Sequence, residues 1–167
     1  MAGGVCLWPL EGLRLQPEQG SARFLPVARG SEIHLIYRHS VARSLVSEVF
    51  GVTPCGTLRL QRTAYHDFGA GLPGQTSRGF SHRDGMFVID DIDLELSELP
   101  LRIGRTAEHR LWIPPGGEIR LAELFSPGSL VRVEPARRAL WNFVFFGGHS
   151  SVWKNGQQVF TTVLTKK

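Results

Sequence analysis

Residues 32–38 have the sequence EIHLIYR, in which Ile33, Leu35 and Tyr37 occupy every second position. Because successive side chains of a β-strand point to opposite faces, this spacing predicts a strand with one half-buried apolar face. Residues 57–63, with the sequence TLRLQRT, alternate in the same way and place Leu58 and Leu60 inward. Both stretches favour β-structure over helix, whose apolar positions recur every three or four residues.

Further short runs of this kind are bounded by Gly, Pro, Asp or Ser, at residues 46–52, 86–92, 109–113 and 129–134. Strands at such short and even spacing are typical of antiparallel barrels and sandwiches. Helical candidates are brief, at residues 40–46 and 121–125. We therefore predict an all-β fold, a small antiparallel barrel or sandwich with short helical turns.

The end of the chain has a different composition. Residues 141–146 form an aromatic-rich run, and Asn155-Gly156 separates two further β-like runs. Asn-Gly favours a two-residue hairpin turn because both residues tolerate positive φ. We predict a single β-rich domain at residues 5–135 and an aromatic-rich extension at 136–167 that forms a β-hairpin.

Composition limits the classes of function. The 167 residues are 42% hydrophobic and 20% charged, which is typical of one globular domain. The formal net charge is +4, and the arginines are scattered rather than grouped on one face. We expect no nucleic-acid partner, because such proteins concentrate their positive charge.

No segment is apolar over the length of a transmembrane helix, and residues 1–7 lack the features of a signal peptide. As written, the sequence therefore predicts no transmembrane segment and a cytoplasmic location. Cys6 and Cys55 could form one disulfide or remain two thiols, according to the compartment. The cysteines and the six histidines show no metal-ligand spacing, and we expect neither a metal nor a cofactor.

His39, Ser40 and Glu48 supply the residue types of a hydrolytic triad. Adjacent strand residues point to opposite faces, however, and no Gly-x-Ser-x-Gly elbow surrounds Ser40. The favoured interpretation is that Ser40 caps the following helical turn and that His39 fixes a strand end by hydrogen bonds. We therefore predict that the protein is not an enzyme, with a small hydrolase as the alternative.

A glycine-rich loop offers backbone amides that could cradle an anion, formed by Gly69, Ala70, Gly71, Leu72 and Pro73. It lacks the lysine of a phosphate-binding loop. A second alternative is thus a stand-alone ligand-binding β-barrel with this loop at its mouth. We expect the loop to cluster with His39, Ser40 and Glu48, so that His39, Ser40 or the loop amides donate hydrogen bonds to a partly buried Glu48.

Arginines provide a further candidate binding feature. Guanidinium groups pair with carboxylates through two parallel hydrogen bonds. The arginines that would suit a small carboxylate ligand are Arg62, Arg102, Arg105 and Arg110.

Several of these segments resemble the bacterial family catalogued as domain of unknown function 1850. The resemblance spans about residues 5–134 and is carried by residues 6–7, 36–41, 48–50, 65–73, 84–89, 99–104 and 109–111. The pairing of Tyr-x-His-Ser-Val with Gly-Ala-Gly-Leu-Pro is its distinctive part.

The resemblance implies a connection with tripartite ATP-independent periplasmic (TRAP) transporters of the TAXI type, whose solutes are small acids. It implies a periplasmic or membrane-associated location, which the start of this sequence does not predict. The resemblance implies no activity, no cofactor and no catalytic residue. We therefore expect a non-catalytic accessory or binding domain, with a transporter subunit, a solute-binding subunit or a small carboxylate as partner.

Overall fold

The computed structural model describes residues 10–27, 30–66, 79–114, 117–138, 151–154 and 157–160. These ranges hold fourteen strands and one short helix: β1 Leu10–Pro17, β2 Arg23–Pro26, β3 Glu32–Arg38, β4 Leu45–Val52, β5 Leu58–Tyr65, β6 Phe80–Arg83, β7 Met86–Ile89, β8 Leu94–Leu96, β9 Leu99–Arg102, β10 Arg110–Ile113, β11 Gly117–Arg120, α1 Leu121–Leu124, β12 Leu130–Arg138, β13 Ser151–Lys154 and β14 Gln157–Phe160.

The strands form two main antiparallel sheets. One has four strands in the order β2-β1-β12-β9. The other has eight, in the order β11-β10-β3-β4-β5-β7-β6, with β8 paired to the first half of β5. Within the described residues neither sheet closes on itself, so the fold is a sandwich rather than a barrel.

The core lies between these two sheets. Leu13 and Leu15 of β1 and Val131 and Val133 of β12 are at most 1% exposed. They belong to one cluster with residues of the eight-stranded sheet and α1, among them Ile33, Leu35, Phe50, Leu58, Leu111 and Leu121. Burial of this apolar surface is the main stabilising contribution to the fold.

A β-bulge in β5 keeps the apolar side chains of that strand on one face. Val49 pairs with Arg62 and Phe50 with Leu60, so Gln61 is the extra residue. Strict alternation would put Leu58 and Tyr65 on opposite faces, whereas both are buried, at 1% and 0% exposure. One inserted residue therefore reverses the alternation and turns both halves of β5 inward.

A second cluster occupies the part of the eight-stranded sheet near β6 and β7. Its buried members are Val46, Tyr65 and Ile89, and partly buried aromatic side chains pack against them. In the described part of the chain, no residue of the four-stranded sheet belongs to this cluster. The eight-stranded sheet thus has an inner face that extends past the main core.

The strands predicted from the sequence are confirmed, with shifts of a few residues at their ends. The helix expected at residues 121–125 is α1, and β13 and β14 pair as a hairpin around residues 155–156, which lie outside the described residues. Strand β12 continues to Arg138, past residue 135; the division of the chain into 5–135 and 136–167 stays a prediction.

The helical turn expected at residues 40–46 is shortened to one α-turn, and no helix forms there. A single α-turn, closed by the Arg43 amide and the His39 carbonyl at 2.9 Å, is followed by β4 from Leu45. Arg43 adopts a φ of 55°, which ends the right-handed turn. This segment is therefore the loop of the β3–β4 hairpin.

None of the helices in the described ranges has the length and apolar character needed to cross a membrane.

The two sheets make a direct test of the core possible. Phe50 is 1% exposed and lies in the main cluster, whereas Val41 is 69% exposed in the hairpin loop. We expect Phe50→Ala to lower the free energy of unfolding by about 3–5 kcal/mol through lost burial and a residual cavity. The matched Val41→Ala should change it by less than about 0.5 kcal/mol. Urea denaturation measures both, and equal effects would contradict this assignment of the core.

Candidate functional site

Glu48 is a carboxyl group on the core-facing side of the eight-stranded sheet. It lies opposite Leu35 of β3 and Thr63 of β5, which are 1% and 4% exposed. It shares the inward face of β4 with Val46 and Phe50, because side chains alternate along a strand. The antiparallel register therefore places a charged residue type among buried neighbours, which are apolar except for Thr63.

Tyr37 is the hydrogen-bond donor to this carboxyl group. Its hydroxyl donates to Glu48 Oε1 at 3.4 Å from the diagonal position on β3. The Tyr37 ring stacks on His109, which directly precedes β10, with ring centroids 5.6 Å apart and planes at 27°. Tyr37, Glu48 and His109 form a connected set that we call the Glu48 cluster.

Burial determines the electrostatics of the cluster. It raises the pKa of the Glu48 carboxyl, and the Tyr37 hydrogen bond offsets part of that rise. Burial, with the charge and hydrogen bond of Glu48, raises the pKa of the Tyr37 hydroxyl. Burial also lowers the pKa of His109, so its ring is neutral near pH 7.

One polar atom of the cluster has no hydrogen-bond partner among the described residues. His109 Nδ1 is buried and makes no hydrogen bond to any of the described residues. Glu48 likewise belongs to none of the ion pairs among the described residues, where its side-chain hydrogen bond is the one from Tyr37. An unpaired, largely buried carboxyl destabilises a fold, and such groups concentrate at functional sites.

His39 and Ser40, the two other triad candidates, have different surroundings. His39 Nδ1 accepts hydrogen bonds from the amides of Val41 and Ala42 at 3.3 and 3.2 Å, so His39 fixes the end of β3 as expected. Ser40 is exposed and makes no side-chain hydrogen bond within the described ranges, so His39 accepts from the turn amides in its place. No hydrogen bond in those ranges joins His39, Ser40 and Glu48.

The glycine-rich loop, comprising Gly69, Ala70, Gly71, Leu72 and Pro73, lies outside the described residues. Its expected position beside His39, Ser40 and Glu48 stays a prediction. Of the donors expected for Glu48, the structure gives this role to Tyr37 among the residues it describes.

Aromatic side chains extend the inner face beside the cluster. Tyr65 and Phe87 lie with ring centroids 5.9 Å apart, and Phe87 also contacts Phe80 and His82 at 5.9 and 4.9 Å. The pairing of β3, β4, β5 and β7 places four side chains in one row across the sheet, namely Tyr37, Val46, Tyr65 and Phe87. The Glu48 cluster is therefore bordered by aromatic rings.

Most of the candidate arginines are engaged within the protein. Arg62 forms an ion pair with Asp90, and Arg110 pairs with Glu118 at 3.3 Å. Arg102 donates to the Gly128 carbonyl at 3.0 Å, while Arg105 is exposed. The structure does not bring these four arginines to one described site.

Two concave regions lie elsewhere. A cavity of about 690 Å³ opens between the β4–β5 turn and β1 and β12, with Val27, Pro54, Cys55 and Pro135 in its wall. Cys55 is a free, exposed thiol, and Cys6 is outside the described residues. A charged groove of about 590 Å³ is lined by Arg59, Arg62 and several carboxylates. Neither region includes a residue of the Glu48 cluster.

No group of three or more His, Cys, Asp or Glu in the described ranges is placed to hold a metal ion.

Sequence reasoning singled out Glu48 but missed Tyr37 and His109 as its neighbours. One signal was present, because Glu48 has the same alternation as Val46 and Phe50 and so had to face the core. No sequence signal places His109 beside Tyr37, because that contact depends on the pairing of β10 with β3.

Comparison with known proteins identifies one family. Residues 33–121, more than half of the 167-residue chain, match the model of the family described as Domain of unknown function (DUF1850). The match covers all three residues of the Glu48 cluster. No curated protein and no solved structure matches.

Glu48 gives a pH-dependent prediction. As pH rises from about 4.5 through its raised folded-state pKa, the native state keeps a proton that the unfolded state loses. The wild-type free energy of unfolding therefore falls over this window. Glu48→Gln removes that fall, so we expect the stability of the variant relative to wild type to increase with pH between about 4 and 7.

Urea denaturation at a series of pH values measures this difference. Glu98→Gln is the matched control, because Glu98 is exposed between β8 and β9. It should show no comparable trend. If the stability of Glu48→Gln relative to wild type stayed constant or decreased with pH, this would contradict the raised pKa of a buried Glu48 carboxyl group.

Proposed function

The chain belongs to the family described as Domain of unknown function (DUF1850), and on that basis we propose that it is a non-catalytic binding domain serving a TRAP transport system of the TAXI type. Its binding site in this proposal is the Glu48 cluster. The observation that carries the proposal is the largely buried Glu48 carboxyl, which has no cation beside it among the described residues.

The positions of His39, Ser40 and Glu48 support a binding role better than they support hydrolysis of a substrate. Hydrolysis by His39 and Ser40 requires the imidazole to hydrogen-bond the hydroxyl and a carboxylate to orient the imidazole. His39 Nδ1 accepts from two backbone amides, and the Glu48 carboxyl accepts from Tyr37. These contacts support a binding role and weigh against the hydrolase alternative.

The partner we propose is the transporter or its solute-binding subunit, met outside the cytoplasmic membrane. This part of the proposal rests on the family resemblance, because TRAP systems handle their solutes on that side. A small carboxylate is the weaker choice, because Arg62, Arg102 and Arg110 already have partners within the protein.

A pull-down tests the proposal. The full chain is immobilised and offered the purified membrane subunits and solute-binding subunit of the cognate transporter. We expect one of them to be retained, with at least about tenfold weaker retention on Glu48→Gln, since loss of a site charge removes its pairing energy. Glu98→Gln should retain the partner like wild type.

Two results would oppose the proposal. The first is that neither subunit binds wild type and that calorimetric titration with small carboxylates is also silent. The second is hydrolysis of a generic ester that disappears in Ser40→Ala, which would favour the hydrolase.

A further inference from the structure

The Glu48 cluster presents hydrogen-bond acceptors without a matching cation. When Glu48 is ionised its two oxygens accept, and the Tyr37 hydroxyl oxygen is a further acceptor. His109 Nδ1 is buried and has no partner among the described residues, and the ring is neutral near pH 7. A neutral imidazole with its proton on Nε2 accepts at Nδ1. The Glu48 carboxyl group and the Tyr37 hydroxyl thus offer acceptors side by side, and the unpartnered His109 Nδ1 belongs to the ring that stacks on Tyr37.

Among the described residues, the groups that face Glu48 carry no charge near neutral pH. The groups of β3 and β5 that face Glu48 are Tyr37, Thr63 and Tyr65, and the segment before β10 adds His109. Neighbouring β7 presents Phe87 and Ile89. The inward residues of the four-stranded sheet in the core are apolar, namely Leu13, Leu15, Leu101, Val131 and Val133. None of these described groups gives the ionised Glu48 carboxylate a counter-charge, so a bound cation would supply one.

A primary ammonium group matches these acceptors in number and charge. It carries three N–H donors and no acceptor on a compact centre. The stacked rings of Tyr37 and His109 lie beside the carboxyl group, and an aromatic face attracts a cation. The partial exposure of all three side chains leaves the cluster reachable from solvent.

We propose that the Glu48 cluster binds a primary ammonium group, carried by a small amine solute or by a lysine side chain of the protein partner. This inference rests on the proposed function for the location of the binding site, and it adds the chemistry of the ligand. Glu48 supplies the counter-charge, while Tyr37 and His109 supply the remaining acceptors and the ring faces.

Binding of a cation is coupled to the proton on Glu48. Only the ionised carboxyl pairs with ammonium, so a protonated Glu48 must release its proton as the cation binds. Below the raised pKa of Glu48 the affinity should rise about tenfold per pH unit and then level off. Protonation of His109 at low pH acts in the same direction, because imidazolium repels ammonium and cannot accept at Nδ1.

Nuclear magnetic resonance titration of the full chain with propylammonium chloride tests the site, with propanol as the uncharged control. We expect saturable shifts at the ring protons of Tyr37 and His109, with an affinity that increases with pH. Glu48→Gln should weaken binding about tenfold or more, whereas Glu98→Gln should not change it. Tyr37→Phe keeps the ring and should weaken binding less than Glu48→Gln.

Competition separates the two sources of ammonium. If propylammonium releases the retained transporter subunit in the pull-down, the native group is a lysine of that partner. If the amine binds without releasing it, the native ligand is a small amine. Either result supports an ammonium site.

Three results would overturn the inference. In the first, propylammonium causes no saturable change in the resonances at pH values above the pKa of Glu48. In the second, Glu48→Gln binds propylammonium as tightly as wild type does. In the third, the affinity increases as pH falls. The last would indicate a carboxylate bound by protonated Glu48. Retention of a transporter subunit alongside any of these would leave the proposed function standing.

Discussion

The register of β3, β4 and β5 is the constraint on which the rest of the molecule depends. It aligns Leu35, Glu48 and Thr63 across three strands and places Phe50 opposite Ile33 in the core. If β4 shifted by one residue against its neighbours, the Phe50 and Glu48 side chains would both point to the solvent-facing side of the sheet. The core and the Glu48 cluster are therefore specified by the same pairing, and apolar burial holds a carboxyl group where it destabilises the fold.

The bulge at Gln61 solves a geometric problem in this pairing. It allows Leu58 to face the main core and Tyr65 to face the second cluster from a single strand. Gly51 of β4 lies beneath the Gln61 side chain, where an added Cβ would come within 2.7 Å of the amide nitrogen. The end of the Gln61 side chain thus lies over the space that a side chain at residue 51 would occupy.

The strands were predictable because their apolar alternation is local, as residues 32–38 show. The bulge was not, since nothing in TLRLQRT marks Gln61 as the residue at which the alternation reverses. The hairpin loop was misjudged because the His39 ring, rather than the Ser40 hydroxyl, accepts from the turn amides. The placement of two of the three residues of the Glu48 cluster, Tyr37 and His109, depends on which strands become neighbours, and that information is not local.

The four-stranded sheet also determines the order in which a growing chain can fold. Strand β1 is made early, but its partner β12 ends only at Arg138. The strands between them can pair into most of the eight-stranded sheet first, because their contacts are closer in sequence. Until β12 emerges, β1 exposes the edge that pairs with it as an open edge to other chains. Folding of the nascent protein therefore depends on keeping this edge of β1 away from other chains until β12 has been made.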